Sequence, residues 1–229
     1  MKKISKRNKK NIKIFIKKKI YKIKDGIKIL KKFVPTKFTE SVDLACQLSI
    51  NSKKSEQNIR NTVILPHGTG KKITIAVFTS PENQKKALKI GADFSGMESI
   101  LDIIKKKKKK IDYVLATPDA MQFIKNLGLI LGPKGFMPNK KDGTITDNLK
   151  NTIQELRKGK IKCRNDKYGI IHSTFGKINF STTQLYENLL FLLQHIKNSK
   201  PPQLKGFYFK KISLSTTMSP SIIVNHISL

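Results

Sequence analysis

Two runs of alternating apolar and polar residues, one near each end of the chain, constrain the fold more than any other feature. In Lys210–Met218, Ile212 and Leu214 alternate with polar residues, and small polar side chains follow. In Val42–Ile50, every second residue is apolar. Such alternation is typical of a strand with one buried face. We therefore predict that the two runs pair in one sheet, so that the chain ends build one domain and the middle is an insertion.

The polar end of the later run has two open interpretations. Ser215–Met218 is either a plain strand end that runs into a loop or the end of a core strand that touches a ligand. Phe38 lies in a polar, basic turn before the earlier run, and is either an edge-of-core residue or a stacking surface for a nucleotide. If the strands run antiparallel, the start of one lies near the end of the other. We therefore expect Phe38, Thr217 and Met218 to lie side by side.

A change of pattern marks the start of the insertion. Pro66, Gly68 and Gly70 would break any regular element, and Ile73–Phe78 is then a continuous apolar run. Such a run is typical of a parallel strand covered on both faces. Strands then alternate with helices as far as Gly159, which predicts a small parallel α/β domain.

The chain returns to the first domain after this insertion. Ser181 and Gln184 have the spacing of a capping box, and an apolar helical face follows them. We therefore predict an α/β protein of two domains. Residues 1–68 and 160–229 form the discontinuous first domain, and residues 69–159 form the inserted second one.

The net charge is unusually high: 47 Lys plus Arg against 15 Asp plus Glu give a net charge of +32 in 229 residues. Such a field attracts polyanions. A membrane is disfavoured as partner because no run approaches the length of a transmembrane helix, and basic membrane helices need an apolar face rich in Trp, Phe or Leu. The abundance of Lys, Ile and Asn is also expected of AT-rich coding DNA. The charge therefore favours nucleic acid without identifying which one.

Two segments concentrate this charge. Residues 1–24 contain twelve Lys or Arg and no acid, and we expect a basic arm that is poorly ordered without its partner. Lys105–Lys110 is a run of six lysines that we interpret as a solvated helix end.

The patterns of catalytic and metal sites are absent from the sequence. Gly68–Lys71 resembles the end of a phosphate-binding loop, but the glycine required five positions before Gly70 falls on Leu65. The four histidines lack both metalloprotease spacing and a nucleophile partner. Cys46 and Cys163 have no second ligand at metal spacing and are predicted to be buried thiols in a reducing compartment. We therefore predict no enzymatic activity, no metal and no cofactor.

Six short segments, in the same order along the chain, together resemble the bacterial form of the ribosomal protein L1 family. They are Lys37–Asp43, Leu65–Gly70, Leu131–Asn139, Arg164–Lys167, Gly169–His172 and Ser215–Met218. The resemblance covers nearly the whole chain. It implies a first domain of antiparallel sheet and helices, a split β-α-β-like arrangement made from both chain ends, and an inserted Rossmann-like, three-layer α/β domain.

The resemblance also implies a function in the large ribosomal subunit. It implies direct binding to 23S rRNA at the mobile stalk, a role in releasing deacylated tRNA from the exit site, and repression of the protein's own operon through its mRNA. The protein would act as a monomer among other large-subunit components, in the bacterial cytoplasm. The plastid stroma is the alternative location, although His67, where plastid members are expected to have lysine, favours a bacterium.

The residues that correspond to RNA contacts of the family lie at both ends of the chain. They are Asp25, Lys37, Phe38, Ser41, Asp166, Lys167, His172, Thr217 and Met218. Asp25 stands where the family often has glutamate, and Ser219 stands where a glycine usually follows the methionine. Two other functions remain open: a protein that is mainly a regulatory mRNA-binding repressor, and a nucleotide-dependent enzyme built on the inserted domain.

Overall fold

The computed structural model describes residues 6–14, 19–106 and 110–225. In chain order the elements are α1 (Lys6–Ile14), β1 (Ile20–Tyr21), α2 (Ile23–Lys32), β2 (Ser41–Leu48), β3 (Arg60–Ile64), β4 (Ile75–Phe78), α3 (Pro81–Ile90), β5 (Phe94–Ser95), α4 (Glu98–Lys106), β6 (Tyr113–Ala116), α5 (Met121–Lys125), α6 (Gly128–Leu131), α7 (Leu149–Arg157), β7 (Lys160–Arg164), β8 (Ile170–Lys177), α8 (Thr182–Asn198), β9 (Phe209–Thr216) and β10 (Ile222–Val224). Single 3-10 turns lie at Ser55–Gln57 and Lys140–Asp142. The chain separates into two compact units. The first runs up to Gly70 and resumes at Gly159, and the second is Lys71–Lys158.

The two alternating runs form neighbouring strands of one sheet in the first unit. β2 pairs with β9 in antiparallel register, with Val42 opposite Thr216 and Leu44 opposite Leu214. On its other side β2 is antiparallel to β8, and the sheet has the order β1-β10-β9-β2-β8. The predicted pairing of the two runs in one sheet is therefore confirmed, and the pair is antiparallel.

One face of this sheet carries the core of the first unit. The even-numbered residues of β2 are buried, and α2 and α8 pack over that face. Ile27 of α2 and Leu189 and Leu193 of α8 are fully buried there. The predicted capping box begins α8: the Ser181 hydroxyl accepts the Gln184 N–H at 3.1 Å, and the Gln184 side chain accepts the Ser181 N–H at 2.9 Å.

The points where the chain leaves and re-enters the first unit lie against each other. β3 and β7, on either side of these points, pair as a two-stranded antiparallel sheet. The Leu65 N–H reaches the Gly159 carbonyl at 3.5 Å, and a Cβ on Gly159 would lie 2.5 Å from the Gly68 Cα. The buried Asn188 side chain accepts the His67 N–H at 3.0 Å and donates to the Gly68 carbonyl at 3.0 Å. One buried amide therefore holds the backbone at the start of the insertion.

The second unit is built on the predicted parallel strands. β4 lies between β5 and β6 and is parallel to both. Because successive side chains of a strand point to opposite faces, Ala76 and Phe78 pack with residues of α4 and α5, whereas Ile75 and Val77 pack with residues of α3 and α7. The unit is a three-layer α/β/α arrangement, and the predicted α/β fold class is confirmed.

The basic arm contains a helix that the sequence did not lead us to expect. Residues 6–14 form α1, although residues 1–24 were expected to be poorly ordered. Asn11 is fully buried and accepts the Val34 N–H at 2.9 Å, which attaches this helix to the end of α2. Residues 1–5 and 15–18 of the arm lie outside the described residues. The six-lysine run begins at the end of α4, as predicted, and its residues 107–109 likewise lie outside the described residues.

Both cysteines are buried free thiols, as predicted. Burial raises the pKa of Cys46 to about 12 and that of Cys163 to about 11, which keeps both thiols protonated and unreactive. Within residues 6–14, 19–106 and 110–225, no group of three or more His, Cys, Asp or Glu side chains is arranged to hold a metal ion. Every helix in the described part of the chain is too short or too polar to cross a membrane.

Candidate nucleic-acid interface

Ser41 and Thr217 join the start of β2 to the end of β9. The Thr217 hydroxyl accepts the Ser41 N–H at 3.1 Å, and the Thr217 N–H donates to the Ser41 carbonyl at 3.2 Å. Lys177, opposite Ser41 on β8, donates from Nζ to the Ser41 hydroxyl at 2.8 Å. The exposed Thr217 hydroxyl keeps its own proton, because a hydroxyl both donates and accepts. Three strands therefore meet at one polar junction that can still donate a hydrogen bond outward.

A buried carboxylate fixes the turn that follows Thr217. Glu40 is 5 % exposed. Its Oε2 accepts the Thr216 hydroxyl at 3.2 Å, and its Oε1 accepts the Met218 N–H at 3.0 Å. The Arg7 guanidinium of α1 donates to Glu40 Oε1 at 3.2 Å and to the Met218 carbonyl at 3.1 Å. The sequence did not lead us to Glu40. A signal was nevertheless present, because an acidic residue at an even position directly before β2 falls on the buried face of the sheet.

Two apolar side chains at this end of the sheet are exposed to solvent. Phe38 is 53 % exposed and Met218 is 55 % exposed. Phe38 therefore lies on the surface, which favours a contact role over the edge-of-core alternative. Lys37 beside it is also exposed. The loop that carries both residues borders a cavity of about 360 Å³, which is lined by Leu30, Lys31, Phe33, the 35–40 segment, Ile178 and Asn179.

Asp166 organises a tight turn at the start of β8. Its Oδ1 accepts the N–H groups of Tyr168 and Ile170, both at 2.8 Å. These donors, first that of Ile170, hold the pKa of the Asp166 carboxyl below its usual value, with a smaller contribution from His172, whose Nε2 lies 3.8 Å from Asp166 Oδ2. The Asp166 carboxylate therefore stabilises the turn. Lys167, at the turn's tip, is the exposed group that can meet a phosphate.

The sheet separates the predicted RNA contacts into two groups. Ser41 of β2 lies opposite Lys177 of β8, and Gln47 lies opposite Ile170. Ser41 and Gln47 are six residue steps apart along β2, which corresponds to about 20 Å. Lys37, Phe38, Ser41, Thr217 and Met218 form the group at one end, and Asp166 and Lys167 lie at the other.

A polar sheet face connects the two groups. It consists of the partly exposed, odd-numbered side chains of β2 and β9 and the residues opposite them on β8. His172 lies on this face, opposite Ala45, and Thr174 donates from its hydroxyl to Asp43 Oδ1 at 2.6 Å. Asp25 lies elsewhere, exposed in the first turn of α2 on the helical side of the sheet, so the structure does not bring it to either group.

Comparison with known proteins identifies the family. The model of the Ribosomal protein L1p/L10e family matches residues 30–220. The Large ribosomal subunit protein uL1 of Buchnera aphidicola subsp. Cinara cedri is 57% identical over 222 residues, 97% of this chain and 96% of that protein. The proteins of the same name from Wigglesworthia glossinidia brevipalpis and Pasteurella multocida are 50% identical (99% of this chain, 94% of that protein) and 47% identical (92% of each chain). The family is a structural one and not a family of enzymes. This chain belongs to the Ribosomal protein L1p/L10e family.

Proposed function

We propose that this chain is a structural component of the large ribosomal subunit that binds 23S rRNA directly at the mobile stalk. The observation that carries the proposal is the junction of Ser41 and Thr217, which presents a hydroxyl beside the exposed Met218 on a braced backbone. A site held in place before binding loses little conformational freedom on binding. The net charge of +32 supplies long-range attraction to a polyanion.

Each residue type at this end of the sheet has a distinct task toward RNA. The Thr217 hydroxyl can donate to a ribose 2′-OH, a group that distinguishes RNA from DNA. Phe38 and Met218 offer exposed apolar area to bases and riboses. Lys37 and Lys177 contribute positive charge for the phosphates, and Lys177 retains donors beyond the one that meets Ser41. Hydroxyl and apolar contacts provide discrimination, and the lysines provide affinity.

The wider role is inferred from membership of the family. In the ribosome, the chain would act as a monomer among the other large-subunit components and assist the release of deacylated tRNA from the exit site. The relatives compared above are bacterial proteins, which favours the bacterial cytoplasm over the plastid stroma. The same surface would bind an operon mRNA that folds like the stalk, and this would repress translation of the chain's own operon.

The test is a titration of the purified chain with a 23S rRNA stalk fragment, an operon-leader mRNA fragment and a random RNA of equal length. Tighter binding to the stalk fragment than to random RNA supports the proposal, and equal binding to both contradicts it. The ratio of the stalk to the leader affinity decides between a ribosomal component and a chain that is mainly a regulatory repressor.

A further inference from the structure

Two aromatic rings project into solvent at the end of the sheet farthest from Thr217. Tyr168 is 70 % exposed and Phe207 is 89 % exposed. Leaving rings of this size in water forgoes the free energy that burial would supply, and the core of the first unit does not include either ring. Their exposure is therefore not explained by the packing of the fold.

Hydrogen bonds place the two rings on either side of the end of β2. The Leu48 N–H donates to the Gly169 carbonyl at 3.0 Å, and the Ser49 N–H donates to the Tyr208 carbonyl at 2.8 Å. Gly169 and Tyr208 are the immediate neighbours of Tyr168 and Phe207. Because adjacent strands lie about 4.8 Å apart, the backbones that carry the two rings are separated by about 10 Å across β2.

The backbone beside each ring is anchored. Asp166 Oδ1 accepts the Tyr168 N–H at 2.8 Å, as part of the turn described above. Next to Phe207, the Lys200 ammonium donates to the Gly206 carbonyl at 3.0 Å, and Gly206 adopts a φ of 85° that favours glycine. The rings are therefore solvent-exposed groups on fixed supports, an arrangement that lowers the entropy lost on binding a flat ligand.

Lysines surround the pair. The Lys167 ammonium lies 5.0 Å from the centre of the Tyr168 ring. The Ser52 hydroxyl donates to the Lys167 carbonyl, which brings the exposed Lys53 and Lys54 to the same end of the sheet. Exposed Lys205 directly precedes the Gly206–Phe207 step. Interleaved aromatic and cationic groups suit a ligand that has both flat apolar rings and negative charges.

We propose that Tyr168 and Phe207 form a stacking platform for unpaired RNA nucleotides, beside the predicted contacts Asp166 and Lys167 and about 20 Å from the Ser41–Thr217 junction. The platform rests on the proposed RNA-binding function and extends its footprint along the sheet. Bases stack on the rings, and the neighbouring lysines meet the phosphates. A protein partner fits less well, because lysine is depleted from the centres of protein–protein interfaces.

The first experiment uses fluorescence, because the chain contains no tryptophan. Phe207→Trp introduces a single indole that reports stacking directly. We expect an oligoadenylate and the stalk rRNA fragment to quench its emission, whereas heparin, a polyanion without bases, leaves the emission unchanged. Equal quenching by heparin would overturn the proposal, as would binding of oligoadenylate without quenching.

The second experiment measures affinity for the stalk rRNA fragment. The double variant Tyr168→Ala/Phe207→Ala should bind about 5- to 100-fold more weakly than the parent chain, with an unchanged salt dependence. Tyr168→Phe/Phe207→Tyr keeps both rings and should bind like the parent. Leu129→Ala, which removes a 92 % exposed apolar side chain from the second unit, is the matched surface control.

The outcomes separate failure of the platform from failure of the proposed function. If the double variant binds as tightly as the parent while Thr217→Val binds more weakly, the platform is wrong and the proposed RNA-binding function stands. If the parent chain does not prefer the stalk fragment to random RNA, the proposed function itself fails. The measurement of Phe207→Trp emission with oligoadenylate needs no stalk RNA. It therefore still decides whether the Tyr168–Phe207 pair stacks on bases.

Discussion

The Thr217 hydroxyl accepts a hydrogen bond from the Ser41 N–H at 3.1 Å, although the two residues are 176 positions apart in the chain. The same two residues share a second hydrogen bond, from the Thr217 N–H to the Ser41 carbonyl. Thr217 is thus both a structural link and, in the function proposed here, a contact to RNA. Substitution of Thr217 should therefore change the RNA affinity and the free energy of unfolding by different amounts.

We expect Thr217→Val to weaken binding to the stalk rRNA fragment by about 1 to 3 kcal/mol, because the RNA partner of the hydroxyl is left unsatisfied. The free energy of unfolding should fall by only about 0.5 to 1.5 kcal/mol, since water can reach the Ser41 N–H. RNA titrations and urea unfolding measure the two quantities. Thr217→Ser keeps the hydroxyl and should preserve both. Unchanged affinity in Thr217→Val would show that the residue is only structural.

Glu40→Gln should destabilise the first unit. The buried carboxylate accepts hydrogen bonds from Thr216, Met218 and Arg7. An amide removes the negative charge that faces Arg7 and leaves one accepting oxygen, so the Thr216 hydroxyl has to turn from donor to acceptor. We expect a loss of about 1.5 to 3 kcal/mol in the free energy of unfolding, measured in urea. Glu82→Gln, at an exposed position in the second unit, removes the same charge and should cost less than about 1 kcal/mol. Equal losses in the two variants would contradict this account of Glu40.

Deleting residues 71–158 should leave a first unit that folds and retains most of its RNA affinity. The chain crosses between the units at neighbouring positions, because Gly159 lies against Gly68, so a short glycine linker can close the gap. Every predicted RNA contact also lies outside the deleted segment. Circular dichroism, thermal melts and RNA titrations test this expectation. A loss of several kcal/mol in binding would mean that the second unit contributes directly to the RNA contact.

RNA binding should depend steeply on salt. If on the order of five to eight phosphates are neutralised, log K should fall against log salt with a slope of about −4 to −7. Lys37→Gln should make the slope shallower by about 1, whereas Thr217→Val should not change it, because it removes no charge. Lys85→Gln, an exposed lysine of the second unit, is the control for a general loss of charge. An equal change of slope in both lysine variants would show that Lys37 has no particular phosphate contact.

The contribution of Asp166 to stability should disappear at acid pH. Its pKa is lowered in the folded chain by the Ile170 and Tyr168 N–H donors, so folding favours the ionised form. A lowered folded pKa gives stability that is fully present above the unfolded value of about 3.9 and is lost as pH falls through the folded value. The difference in urea midpoint between the parent chain and Asp166→Asn should therefore persist from pH 7 to pH 5 and shrink below about pH 4. A difference that stays constant down to pH 3 would contradict this assignment.

The periodic patterns of the sequence determined the main elements of the fold. Alternation in two distant runs predicted β2 and β9 as partners in one sheet, and their antiparallel pairing brought Ser41 to Thr217. The Ser181–Gln184 spacing predicted the start of α8, and the continuous apolar run predicted the buried strand β4. These predictions succeeded because periodicity and capping are local properties: they depend on which face of a short segment is buried or which N–H groups lack a partner.

Only the tertiary structure decided which side chains meet. Strand pairing brought Met218, and the packing of α1 brought Arg7, to the carboxylate of Glu40 in the turn that we propose to face RNA, and no local pattern specifies partners so far away in the chain. The register of the sheet placed Asp166, with its local turn, about 20 Å from Thr217, and the fold left Phe207 in solvent. Sequence pattern fixes the face of a strand, whereas register and loop contacts, which depend on the whole fold, fix the neighbours of each side chain.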